Sequence, residues 1–154
     1  MNENHSLIVS RMLNATPAHI WNSCSQANGL REWWGQPEGA VMPTIEVDFR
    51  VGGSLHFKVE LASGDVIWGK AFYKEIVLFE KIVLENHNSN EKGDLLDSVE
   101  WPASKITLTI EDGEDGAKLT VLHEGIGEGE HRIEEYAGGW KQSLERLALD
   151  LINQ

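Results

Sequence analysis

The side chains in this 154-residue chain that could do chemistry are six histidines, one cysteine, two tyrosines and a surplus of carboxylates. The histidines are His5, His19, His56, His87, His123 and His131. A helical metal site needs two ligands four residues apart, and no two of these have that spacing. His123 ends the alternating run Leu119, Val121, His123, so it points where the core residues point. It is the histidine with potential as a base; the plain alternative is a buried, satisfied imidazole. Cys24 has no basic neighbour in sequence and reads as a packed, unreactive thiol. Acid–base catalysis needs a carboxylate in an apolar setting. Glu46, Asp48, Glu60 and Glu111 fall on wet strand faces, whereas Glu75 follows Phe72-Tyr73. The candidate catalytic residues are therefore His123, Glu75 and Tyr73, and no spacing argues for a Ser-His-Asp triad.

The segment Glu124-Gly125-Ile126-Gly127-Glu128-Gly129-Glu130 lies between a strand and a helix, as a dinucleotide-binding loop does. Its spacing fails, because Glu130 and His131 stand where a third glycine belongs, and its three glutamates would repel a pyrophosphate. It reads as a connector. A lone cysteine excludes an internal disulfide and a Cys-rich zinc or iron–sulfur site. No cofactor and no metal are expected. With 13 Lys plus Arg against 25 Asp plus Glu, the net charge is −12. That argues against nucleic acid and against an anionic membrane surface as partners. No stretch approaches the roughly 20 apolar residues of a membrane span. Met1 to Ser6 is polar and lacks a signal-peptide pattern, so the expected location is cytoplasmic.

Those residues must be positioned by elements readable from periodicity. His5 to Asn14 reads as a first strand. Thr16-Pro17 supplies a cap and a first helical residue for a short helix to about Ser23. Asn28-Gly29 is expected to break it, and a second short helix carries Leu30, Trp33 and Trp34. Strands follow over Thr44 to Arg50, Ser54 to Leu61, Val66 to Ile76, Phe79 to Glu85, Lys105 to Glu111 and Lys118 to Glu124. Gly52-Gly53, Gly64-Asp65 and Asp112 to Gly116 are turns, and Asn86 to Asp94 is a loop. From His131 to Leu151 the apolar residues step by three and four, which makes one long amphipathic helix. The length fits one domain, residues 1–154, of α+β class. Its expected form is a curved antiparallel sheet wrapped around the long helix, with two short helices after the first strand.

Such a sheet gripping a helix leaves room for a cavity. Six of the twelve aromatic residues are tryptophan, and they fall in every element around that space. The residues expected to line a ligand site are Trp21, Trp34, Phe57, Val59, Trp68, Trp101, Leu108, Val121, Trp140 and Leu144.

Several segments, in order, carry a family resemblance. They are Ala15-Thr16-Pro17-Ala18-His19-Ile20-Trp21, Leu30-Arg31-Glu32-Trp33-Trp34-Gly35, Asp48-Phe49-Arg50-Val51-Gly52-Gly53, Tyr73 to Ile76 and Lys81 to Val83. Trp101-Pro102, the strand pair Ile106 to His123, and Gly138-Gly139-Trp140 with Leu144 and Leu147 complete the set. The chain resembles the START-like, Bet v 1-like helix-grip superfamily, and within it the domains related to the activator of Hsp90 ATPase. The resemblance implies the helix-grip fold. It leaves function open, because that superfamily includes carriers, cyclase-type enzymes and co-chaperone domains. The leading expectation is a non-catalytic binding domain whose Trp-lined apolar cavity takes a small hydrophobic or aromatic ligand. The alternatives are a cyclase- or hydrolase-type enzyme using the same cavity and a module that docks on an Hsp90-type chaperone or another protein. Monomer and homodimer both remain open.

Overall fold

The computed structural model describes residues 5–127 and 130–153. β1 (Ser6–Leu13) leads into α1 (Pro17–Ser25) and α2 (Ala27–Trp33). Six strands follow: β2 (Val41–Val47), β3 (Ser54–Glu60), β4 (Val66–Val77), β5 (Lys81–Asn88), β6 (Ser104–Gly113) and β7 (Gly116–Glu124). α3 (Glu130–Ile152) ends the chain. The α+β helix-grip expectation holds. All seven strands form one antiparallel sheet in the order β1-β7-β6-β5-β4-β3-β2. Strands β2 to β7 make a meander of hairpins, and β1 pairs with β7 to take the far edge.

The helices cover one face of this sheet. Thr16 starts α1 by accepting the His19 N–H at 3.2 Å, with Pro17 in the first turn. α1 packs on β6 and β7, α2 on β2, and α3 on β1 and α2. The inner sheet face supplies Leu55, Phe57 and Val59 from β3, Ile106 and Leu108 from β6, and Leu119 and Val121 from β7. α3 answers with Trp140, Leu144, Leu147 and Leu151, the stripe predicted from its period. Together these form one buried apolar cluster. Among the described residues no helix is long and apolar enough to cross a membrane.

Three local expectations are corrected. Asn28-Gly29 breaks nothing: Gln26, with φ −108° and ψ 147°, separates the helices, and Gly29 lies inside α2. A Cβ at Gly29 would come within 2.5 Å of the Ser23 Cα, so the glycine is there for close helix packing. Phe79 does not begin a strand; it sits in the β4–β5 turn with φ 66°, and β5 starts at Lys81. Asn86 to Asn88, expected as loop, continue β5.

Candidate ligand site

Eight of the ten residues expected around a ligand are in the interior: Trp21, Trp34, Phe57, Val59, Leu108, Val121, Trp140 and Leu144 are all buried. Much of the space between α2 and α3 is taken by tryptophan itself. The Trp34 ring meets Trp140 at 5.6 Å and Trp33 at 5.8 Å, and Trp33 meets Trp140 at 6.4 Å. The Trp33 indole N–H donates to the Ser23 carbonyl at 2.9 Å.

The other two expected lining residues do not face that interior. Trp68 stands opposite Lys58 on the outer sheet face, stacked on His56 at 5.2 Å. On β4 it is Gly69, Ala71 and Tyr73 that turn inward. The parity was masked because an inward position is a glycine, over which the Phe57 ring lies. Trp101 is 43% exposed in the loop after β5, with the Arg132 guanidinium 4.3 Å over its ring.

Of the three catalytic candidates, Glu75 is exposed beyond a register slip after Tyr73 and is paired with Lys81 at 3.2 Å. A solvated, paired carboxylate is not held as an acid in an apolar setting.

His123 is buried at the base of α3. Its ring lies flat on Tyr136 at 5.4 Å and edge-on to Trp140. The Trp140 Nε1–H donates to Nδ1 at 3.1 Å, and Nε2 lies 2.8 Å from the Ser104 hydroxyl. An indole nitrogen only donates, so Nδ1 must carry the lone pair and Nε2 the proton. Burial pushes the imidazole down to about 4, so it is neutral. Nε2–H therefore donates to Ser104, the reverse of what activating a serine nucleophile requires. The trio is a satisfied structural network. Sequence reasoning missed Ser104, because nothing marks a strand's first residue as the partner of a histidine on the neighbouring strand.

Tyr73 is different. Its side chain is buried, and among the described residues its hydroxyl has no hydrogen-bond partner. Burial chiefly, with the Cys24 thiol and Asp48 carboxylate nearby, pushes the phenol well above its ordinary range, so it stays a donor. Burial likewise pushes the Cys24 thiol up to about 12. The main chain of Tyr73 is clamped to the β2–β3 turn: its N–H donates to the Gly53 carbonyl at 3.1 Å, and the Gly52 N–H donates back at 2.9 Å. That clamp brings Phe49 edge-on to the Tyr73 ring at 5.0 Å. Trp21 meets Phe49 at 5.7 Å and Phe79 at 6.1 Å, again edge to face. A line of four aromatic rings thus runs from the buried phenol to Phe79, which is 42% exposed. Val51 on the β2–β3 turn, Val77 at the end of β4 and Leu78 just after it are also exposed. Sequence reading placed both Phe49 and Phe79 in strands, and it gave neither a site role.

Among the described residues no group of His, Cys, Asp and Glu converges for a metal ion. The sequence matches the family described as activator of Hsp90 ATPase homolog 1-like protein over residues 14–149. The chain belongs to that family. Solved structures agree in fold. This member of the activator of Hsp90 ATPase homolog 1-like family is 26% identical to a protein of Chromobacterium violaceum, with a TM-score of 0.79, covering 95% of this chain and 96% of that one. A family protein of Silicibacter pomeroyi is 20% identical, with a TM-score of 0.81 and coverage of 97% and 99%. A Rhizobium leguminosarum protein is 22% identical, with a TM-score of 0.80 and coverage of 99% and 97%. No curated protein matches the chain.

Proposed function

We propose that this protein is a non-catalytic binding domain for a small hydrophobic or aromatic molecule that carries one hydrogen-bond acceptor. The ligand enters past Phe79, lies against Trp21 and Phe49, and accepts from the Tyr73 hydroxyl. The observation that carries this reading is the Tyr73 hydroxyl, buried and, among the described residues, unpartnered behind a line of apolar rings. Leaving such a group unpaired costs about 1–3 kcal/mol, which a ligand acceptor would offset. Admission requires the Phe49 and Phe79 rings to swing aside. Phe79 sits on a turn and is part-exposed, which favours it as the moving member. A chemical role finds less support, because the proton on His123 Nε2 points toward Ser104.

Fluorescence titration with 2-ethylnaphthalene and 2-acetonaphthone tests this. Both should change Trp emission saturably, and the ketone should bind about fivefold more tightly, the worth of one net hydrogen bond. Tyr73→Phe should erase that difference while keeping the hydrocarbon's affinity. No saturable change, or a difference that survives Tyr73→Phe, overturns the proposal. Family membership favours one second reading, a module that docks on an Hsp90-type ATPase. Stimulation of a purified Hsp90 ATPase by the protein would support it, and an unchanged turnover rate would count against it.

A further inference from the structure

The two edges of the sheet are built differently. β2 is blunted: Pro43 lies in it, its register on β3 slips between Val41 and Thr44, and Glu46 is exposed. Proline, bulges and charge are the devices that keep an edge strand from pairing with another chain. β1 presents none of them outward. It pairs with β7 over eight residues without a slip, and it contains no Pro, Lys or acid. Its outward side chains are Ser6, Ile8, Ser10 and Met12, with Ile8 68% and Met12 55% exposed.

Among the described residues nothing pairs with the outer edge of the β1 main chain. The His5 carbonyl accepts the Gly125 N–H at 3.0 Å, so His5 turns toward β7. By alternation Leu7, Val9, Arg11 and Leu13 do the same, and Ser6, Ile8, Ser10 and Met12 aim their N–H and C=O groups off the edge. Beside this edge runs a cleft of about 470 Å³ between residues 8–11 and Lys141, Gln142, Leu144 and Glu145 of α3. Arg11, the one charge on β1, is turned back to Glu145 at 2.5 Å. The cleft thus carries two cations and one carboxylate, in a chain of net charge −12. A second acidic copy meets less repulsion here than the chain's net charge would impose.

We propose that β1 is a dimerisation edge and that its occupant is β1 of a second copy, antiparallel about a two-fold axis at Ser10. Opposed residues of an antiparallel pair share a face, so inward positions must oppose inward ones. Centring on Ser10 sets Ile8 against Met12 of the second copy twice over on the outer face, and Leu7 against Leu13 on the inner. Centring on Val9 would spend Ile8 against Ser10. The Ser10-centred register supplies roughly six main-chain hydrogen bonds and the isologous contact of a closed dimer.

Sedimentation velocity from low-micromolar to submillimolar protein should show a monomer–dimer equilibrium. NaCl should strengthen it, by screening the repulsion between the two acidic copies. Ser10→Pro removes the central N–H without touching the β7 ladder, and Ile8→Lys puts an ammonium where Ile8 would meet Met12 of the second copy. Each should raise the dimer dissociation constant roughly tenfold or more, with circular dichroism unchanged. Ser10→Cys should cross-link across the axis on oxidation, since hydrogen-bonded antiparallel pairs bring Cα atoms to about 5.5 Å. A monomer at every concentration, a dimer indifferent to both Ser10→Pro and Ile8→Lys, or no cross-link overturns the proposal.

Discussion

His123 and His87 are both buried, yet their surroundings shift their pKa values in opposite directions. His123 meets an indole, a hydroxyl and a phenol ring, and burial lowers its pKa from 6.5 to about 4. The unfolded chain therefore binds a proton there that the fold refuses. The stability due to His123 is complete above about pH 6.5 and falls as pH drops toward 4, by about 3 kcal/mol in all. At His87 burial also lowers the pKa. It is outweighed by hydrogen bonds and charge from Asp97, 2.5 Å from Nδ1, and Glu85, 2.8 Å from Nε2, so the net shift is upward. That contribution is complete below the unfolded value and fades as pH rises through the raised one. Urea unfolding between pH 7 and pH 4.5 separates the two. His123→Gln should lose some stability at pH 7 yet fall less steeply on acidification than the parent. Parallel acid limbs would show that His123 is not the group responsible.

At the scale of elements, Gly29 decides how α1 and α2 meet. Gly→Ala inside a helix normally stabilises by about 1 kcal/mol. Here the new methyl would be driven into the Ser23 backbone, whose carbonyl also accepts the Trp33 indole N–H. Gly29→Ala should therefore lower the thermal midpoint, and a raised midpoint would refute the packing account. The same residue shows where sequence reading stops. Alternation in Leu55, Phe57, Val59 and in Leu119, Val121, His123 revealed both strands and their inward faces, because each inward residue carries a large side chain. Gly69 is inward and empty, so the parity of β4 vanished with it and Trp68 was assigned to the wrong face. Gly29 looks like a breaker in sequence and acts as a spacer in space. The aromatic line to Tyr73 was illegible for another reason: Trp21, Phe49, Tyr73 and Phe79 come from four separate segments, and only the Tyr73 clamp on Gly52 and Gly53 brings two of them together.

Over the whole molecule, a net charge of −12 on 154 residues means that folding gathers like charge. Raising NaCl should raise the thermal midpoint as that self-repulsion is screened. A midpoint that falls with salt would mean the few surface ion pairs matter more than the charge surplus. The tryptophan cluster has an optical consequence as well. Trp33, Trp34 and Trp140 hold their rings 5.6 to 6.4 Å apart at steep mutual angles. Transition dipoles that close and that skewed couple, so the three indoles absorb as one chiral unit and exchange excitation before emitting. The folded protein should therefore display an exciton couplet in its circular dichroism, and a depolarised emission, that belong to no single tryptophan. Trp68 and Trp101 stand outside that unit and shine on their own.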